Sequence, residues 1–237
     1  QEDQGFIAQP AFKGSLAVYR GQGPLQQVSL VAGIRNSLHS ERTGAKEPGP
    51  DIWYEADIVA GVSWDLLDRW NVETTYVAIT SPNGAWDTIE EVDTTIRFND
   101  AGLWDGDFAI QPFAKIACEF DGSAGMGREG VLLQLGVEPG FGLIDNPRFP
   151  VRLSFPIEAG LSLDDYYVLP TGGDDDTLGY LSSGVSLTMP LMFVPEDYGR
   201  WGVVVGADLL YLGDNMAAFN HGDDLEVIGR LTIGAKF

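Results

Sequence analysis

Two histidines, one cysteine and several groups of carboxylates are the residues of this 237-residue chain with the most reactive side chains. His39 lies close to Ser37, Ser40 and Glu41, and His221 lies close to Asp214, Asp223 and Asp224. A hydroxyl, an imidazole and a carboxylate together could perform nucleophilic hydrolysis. No spacing here specifies such a triad, because these sites are defined by geometry. The bland reading keeps both histidines as solvated loop residues. Asp174, Asp175 and Asp176, in "GGDDDT", with Asp164 and Asp165, form an oxygen-rich loop. Such a loop is a candidate Ca²⁺ site, although EF-hand spacing is absent. "GMGREG" (125–130) matches G-x-G-x-x-G, but an alternating strand follows it where a dinucleotide site needs a helix. It reads as a loop. Cys118 falls among apolar residues and reads as a small hydrophobe. No Cys/His cluster suggests zinc, and no other cofactor is expected.

The elements that must carry these residues are strands. Alternation marks ten of them: 27–35, 52–64, 69–80, 88–98, 107–120, 130–143, 149–163, 178–192, 200–212 and 225–237. In 52–64, Ile52, Tyr54, Ala56, Ile58, Ala60, Val62 and Trp64 share one lane, opposite Glu55 and Asp57. These strands are longer than the usual mode of about 5–6 residues. They match the roughly 9–11 tilted residues that cross a bilayer as a strand. Short turns (64–69, 98–107, 143–149, 192–200) alternate with polar, mostly longer loops (36–51, 81–87, 121–129, 164–177, 213–224). No apolar run approaches the roughly 20 residues of a membrane helix. Residues 1–26 form an N-terminal segment of the same domain, which spans 1–237. Its stretch 6–19 also alternates, as an extra hairpin or as a luminal or periplasmic segment.

Charge separates the lanes. With the apolar lane outside, the inward lane holds eleven acids: Glu55, Asp57, Glu73, Glu91, Asp93, Asp107, Glu119, Glu138, Glu158, Asp208 and Glu226. It also holds eight bases, Arg35, Arg69, Arg97, Lys115, Arg152, Arg200, Arg230 and Lys236, for a net of −3. The outward lane holds only Glu90. A charge facing lipid costs about 2–4 kcal/mol at midplane. Aromatics fall at the strand ends. Trp64, Trp70, Phe98, Phe108, Phe141, Phe149, Trp201 and Phe237 mark the short-turn end; Tyr54, Tyr76, Phe120 and Tyr211 mark the long-loop end. A soluble β-sandwich also alternates, but needs neither these two bands nor such uniform length.

The fold class that follows is all-β: a transmembrane antiparallel up-and-down β-barrel of ten to twelve strands, twelve favoured, with short periplasmic turns and longer extracellular loops. The chain resembles bacterial outer membrane β-barrel proteins of a porin-like, exported kind without assigned function. Phe237, with Ala235, Ile233, Leu231 and Val227 at alternate positions before it, matches their C-terminal signature; Gly229 departs from it. The resemblance implies that Phe237, Ile233 and Leu231 are read by the barrel-insertion machinery. It implies the outer membrane of a Gram-negative bacterium, with lipid and lipopolysaccharide around the barrel. The net charge of −21, from 35 acidic and 14 basic residues, argues against nucleic acid as a partner. The leading expectation is a non-enzymatic, porin-like or structural barrel, weakly cation-preferring if its narrow lumen is open. The alternatives are an outer membrane hydrolase with a site at the extracellular rim, or a barrel that binds partners through its acidic loops. The oligomeric state stays open.

Overall fold

The computed structural model describes residues 5–40, 51–123, 128–169 and 173–237. Their strands are β1 (Ile7–Ala8), β2 (Ala11–Arg20), β3 (Leu25–His39), β4 (Trp53–Leu66), β5 (Trp70–Thr80), β6 (Ile89–Phe98) and β7 (Phe113–Asp121). There follow β8 (Val131–Val137), β9 (Gly140–Ile144), β10 (Val151–Ser154), β11 (Ile157–Asp164), β12 (Leu178–Pro190), β13 (Arg200–Leu212) and β14 (Leu225–Lys236). One short helix, α1 (Asp214–Phe219), sits in the last long loop.

All pair into one antiparallel up-and-down sheet. Three pairs of segments each make a single pass: β1 and β2 both pair with β3, β9 and β8 are matched by β10 and β11, and the latter two both pair with β12. Proline causes the breaks, at Pro10, Pro139 and Pro156, because it has no N–H to give the ladder. The result is eleven passes among the described residues. Residues 6–20 are therefore neither a hairpin nor a luminal or periplasmic segment, but one broken edge strand laid against β3. Among the described residues twelve passes are not reached. The sheet is not closed: β2 pairs only with β3, and β14 only with β13.

Turn chemistry explains the tight connections. Leu67 and Asp68, between β4 and β5, both take positive φ (52° and 64°), and the Arg69 N–H donates to the Leu66 carbonyl at 3.2 Å to close the turn. Burial is inverted with respect to a water-soluble core. Asp57, Thr75, Glu91, Asp93, Thr95, Glu119, Ser162 and Ser186 are buried, while Leu30, Ile34, Ile58, Val92, Ile96, Ile116, Leu135, Val185 and Leu209 are exposed. The polar face is also the concave one. Lys13 on β2 and Glu73 on β5 stand three strand spacings apart, about 14 Å along a flat sheet. Their side chains nevertheless meet at 2.6 Å. Gly33 and Gly61, on β3 and β4 beneath them, leave no room for a side chain in between.

Two bulges re-aim aromatics, as bulges do. One lies where Ser37 pairs with Glu55 but Leu38 pairs with Trp53. Tyr54 is the extra residue. Its ring turns to the concave side and stacks on His39, so the expected place of Tyr54 in the outer band is corrected: Trp53 holds it and donates to Asn36 Oδ1. The second bulge lies between Ala17 and Tyr19, pairing Tyr19 with Val28 and leaving it half-exposed at the short-turn end. On the convex face the expected aromatic neighbours do meet: Trp70 with Phe98, and Tyr76 with Phe120.

Candidate functional site

The candidate site is the concave wall built by β4 to β7. Alternation puts Glu55 and Asp57 on β4, Glu91 and Asp93 on β6, and Lys115 and Glu119 on β7 on the same face. Asp57, Glu91, Asp93 and Glu119 are each more than nine-tenths buried. Among the described residues two cations lie against them. Arg35 Nε lies 3.1 Å from Asp57 Oδ2, and Lys115 Nζ lies 2.8 Å from Asp93 Oδ2. Glu119 Oε2 accepts the Gly130 backbone N–H at 2.8 Å. The second oxygens of Asp57 and Asp93 are buried without a hydrogen-bond partner among the described residues. Buried carboxylates in excess of their cations give this wall a negative field.

The other inward residues spread around the same face. Glu158 accepts from the Tyr180 hydroxyl and from Gln134 Nε2 (2.6 Å). Arg230 donates twice to Asp208, as a fork. Arg152 Nη1 donates to the Asp107 carbonyl at 3.2 Å. Glu138 accepts from Ser154 Oγ at 2.7 Å. Arg97 pairs with Phe113 across the β6–β7 ladder and is exposed. Arg69 departs from the expected lane. It lies in the turn between β4 and β5, and Nη1 donates to the carbonyls of Asn99 (2.8 Å) and Ala101 (3.0 Å), tying two turns together. That turn also holds Asp100, which accepts from the backbone N–H groups of Ile110 and Gln111 and from the Trp104 indole. Burial opposes its charge, but these donors prevail and hold the Asp100 carboxyl below its ordinary value.

A long loop folds over the concave face beside the wall, at β7, β8, β11 and β12. Tyr166 and Tyr167 fold inward after β11, and a side chain on Gly130, Gly160 or Gly179 would collide with them. Tyr167 packs with Ala117 and Leu132. Burial, then Glu91 and Glu119, push the Tyr166 hydroxyl well above its ordinary value; burial, then Glu158 and Asp175, raise that of Tyr167. Both stay neutral. The acidic run ties this loop down. Asp175 accepts from Ser162 Oγ and the Tyr167 N–H, Asp176 from the N–H groups of Leu178 and Asn215, and the Asn215 amide donates to the carbonyls of Tyr167 and Asp174. Among the described residues no three His, Cys, Asp or Glu side chains are placed to hold a metal ion.

Ser37 Oγ and His39 Nε2 are 2.9 Å apart at the end of β3. Ser40 instead accepts the Phe6 N–H. Glu41 and residues 125–127 of "GMGREG" lie outside the described residues. His221 is exposed beyond α1, with φ of 57°. Leu231, Ile233 and Phe237 are exposed, Phe237 at 92%.

Sequence reading missed Lys13, Gln134, Tyr166 and Tyr180. The polar lane of 6–19 did contain Lys13, and that was the available signal. Nothing in "DDYYVLP" announces that its tyrosines turn inward. No family model matches this chain, and neither a curated protein nor a solved structure matches it.

Proposed function

We propose that this chain is a small outer membrane β-barrel of a Gram-negative bacterium, porin-like or structural, whose lumen is passive and prefers cations when open. The inverted burial carries the reading: carboxylates and threonines are covered while a continuous face of leucine, isoleucine, valine and aromatics is not. In water that face would need a second sheet against it. In a bilayer it meets lipid tails, with the aromatic bands at the two interfaces. On this reading the surroundings are outer membrane lipid and lipopolysaccharide, and Leu231, Ile233 and Phe237 are the assembly signal.

Closure belongs to the same proposal. Unpaired backbone groups cost several kcal/mol each in hydrocarbon. On this reading the edges of β2 and β14, unpaired in the structure, close on each other in the membrane. Among the described residues these are the first and last of eleven passes and run in the same direction, so a seam between them is parallel, unlike the even-stranded barrels usual for bacteria. The inward acids outnumber the bases, and that sum sets the cation preference. The deciding experiment is fractionation followed by planar-bilayer conductance of the purified protein, with and without divalent cations. Outer membrane location, detergent dependence and cation-biased conductance are expected. A monodisperse monomer in detergent-free buffer overturns the barrel; a detergent-soluble barrel that never conducts overturns the pore and leaves the structural role.

A further inference from the structure

Besides the acid wall, the polar face brings a nucleophile and a base together at the long-loop end. Ser37 and His39 are two residues apart on β3, so both side chains point to the concave face. Ser37 Oγ and His39 Nε2 are 2.9 Å apart, and the residues are 5% and 6% exposed. The imidazole is held flat against Tyr54, with ring centroids 4.3 Å apart and planes at 25°. Tyr54 meets Trp86 edge to face at 4.6 Å. The Trp86 indole N–H is buried and has no hydrogen-bond partner among the described residues. Glu55 is the cross-strand neighbour of Ser37.

A buried hydroxyl–imidazole pair, joined through the Tyr54 ring to an indole with an unspent N–H, has the parts of an acyl-transfer centre. Each part alone has a structural reading: the pair could be a satisfied core contact, and the indole a cost borne by the fold. Their convergence in one aromatic cluster is what those readings leave unexplained, since buried donors nearly always find partners. We propose that Ser37, His39 and Trp86 form a hydrolytic site for neutral carboxylic esters. With its proton on Nδ1, His39 accepts the Ser37 proton at Nε2 as Oγ bonds to the acyl carbon. The carbonyl electron pair moves onto oxygen, where the Trp86 N–H donates to it. The ester C–O bond then breaks, and the proton on Nε2 passes to the departing alkoxide. Water, deprotonated by His39, adds to the acyl carbon; the bond to Oγ breaks, Oγ regains a proton, and the carboxylic acid leaves. Ester and water give acid and alcohol. Glu55, across the ladder from Ser37, and Asp57 two residues on disfavour an anionic acyl group. The aromatic walls favour an apolar one. Conduction is not required.

The test uses the full-length protein in detergent, in preparations whose folded, heat-modifiable band is intact. A fluorophosphonate probe should add one adduct by intact mass, mapped to Ser37, and none to Ser37→Ala or His39→Ala. Turnover of p-nitrophenyl butyrate should fall about 10³-fold or more in both variants. Trp86→Phe should lower kcat about 10²-fold with little change in KM. Comparing p-nitrophenyl butyrate in solution with p-nitrophenyl palmitate in micelles separates a soluble ester from a lipid one. No adduct on the folded wild type, an adduct elsewhere, or equal turnover by Ser37→Ala overturns the site. A barrel that conducts but takes no adduct strikes down this site alone, and one that takes the adduct but never conducts strikes down only the pore.

Discussion

The wall of β4 to β7 and the edge formed by β14 carry the same alternating code and live in different surroundings. On the wall, Lys115 grips Asp93 with side chains 20% and 10% exposed. On the edge, Arg230 grips Asp208 with side chains 43% and 13% exposed. Wall strands have a neighbour on each side, and β7 also has Tyr167 packed on it. β14 has one neighbour, and all but one of its residues are exposed. A shielded pair is screened less by salt. An exposed one contributes about 1 kcal/mol at most. Neighbours, not residue types, therefore decide what an inward charge is worth.

The comparison breaks most sharply on the apolar face. Ile58→Arg, on the exposed face of mid-β4, should cost about 2–4 kcal/mol of stability in vesicles, as for a charge at midplane. Ile228→Arg, on the polar face of β14, should cost far less. Urea titration of both variants in lipid vesicles measures the contrast, and equal costs would refute the two-faced barrel. Next comes Asp100, in the turn that closes β6 onto β7. Asp100→Asn should destabilise by about 1–3 kcal/mol at pH 7, since it weakens hydrogen bonds to a charged acceptor. The folded-state carboxyl sits below its unfolded value of about 3.9, so the stabilisation is complete above that value and fades as pH falls through the folded value. Wild type and variant should therefore converge in acid.

The edge itself is tested by cross-linking. In a Cys118→Ser background, Leu16→Cys combined in turn with cysteines along 227–235 should give an intramolecular disulfide at one register, where Cα atoms lie about 4.4–6.8 Å apart. Only dimeric cross-links, or none, would speak for an edge left to another strand. The smallest effect is electrical. Asp57→Asn with Asp93→Asn moves the inward sum of charges toward zero, so the reversal potential in a salt gradient should move toward zero as well.

Much of the fold was legible because a strand that faces apolar surroundings on one side and polar ones on the other must alternate at period two. That rule exposed the strands, the two lanes and the aromatic bands. It also placed Asp57, Asp93 and Lys115 on one face. It could not say that Lys13 reaches Glu73, because curvature depends on glycines packed beneath side chains from other strands. Nor could it reveal the bulge that sends Tyr54 inward: a one-residue misfit belongs to a pair of strands, not to either alone.

Sequence by itself determined the all-β class, the segregation of charge and the apolar lane of residues 225–237, since each is a local pattern repeated along one strand. Only the tertiary structure decided that residues 6–20 are an edge strand and that Arg69 serves a turn. It alone decided that Asp175 and Asp176 anchor an inward loop and that Ser37 meets His39. Those outcomes rest on which strands become neighbours and which loop folds over them, and such contacts have no period for a sequence to display.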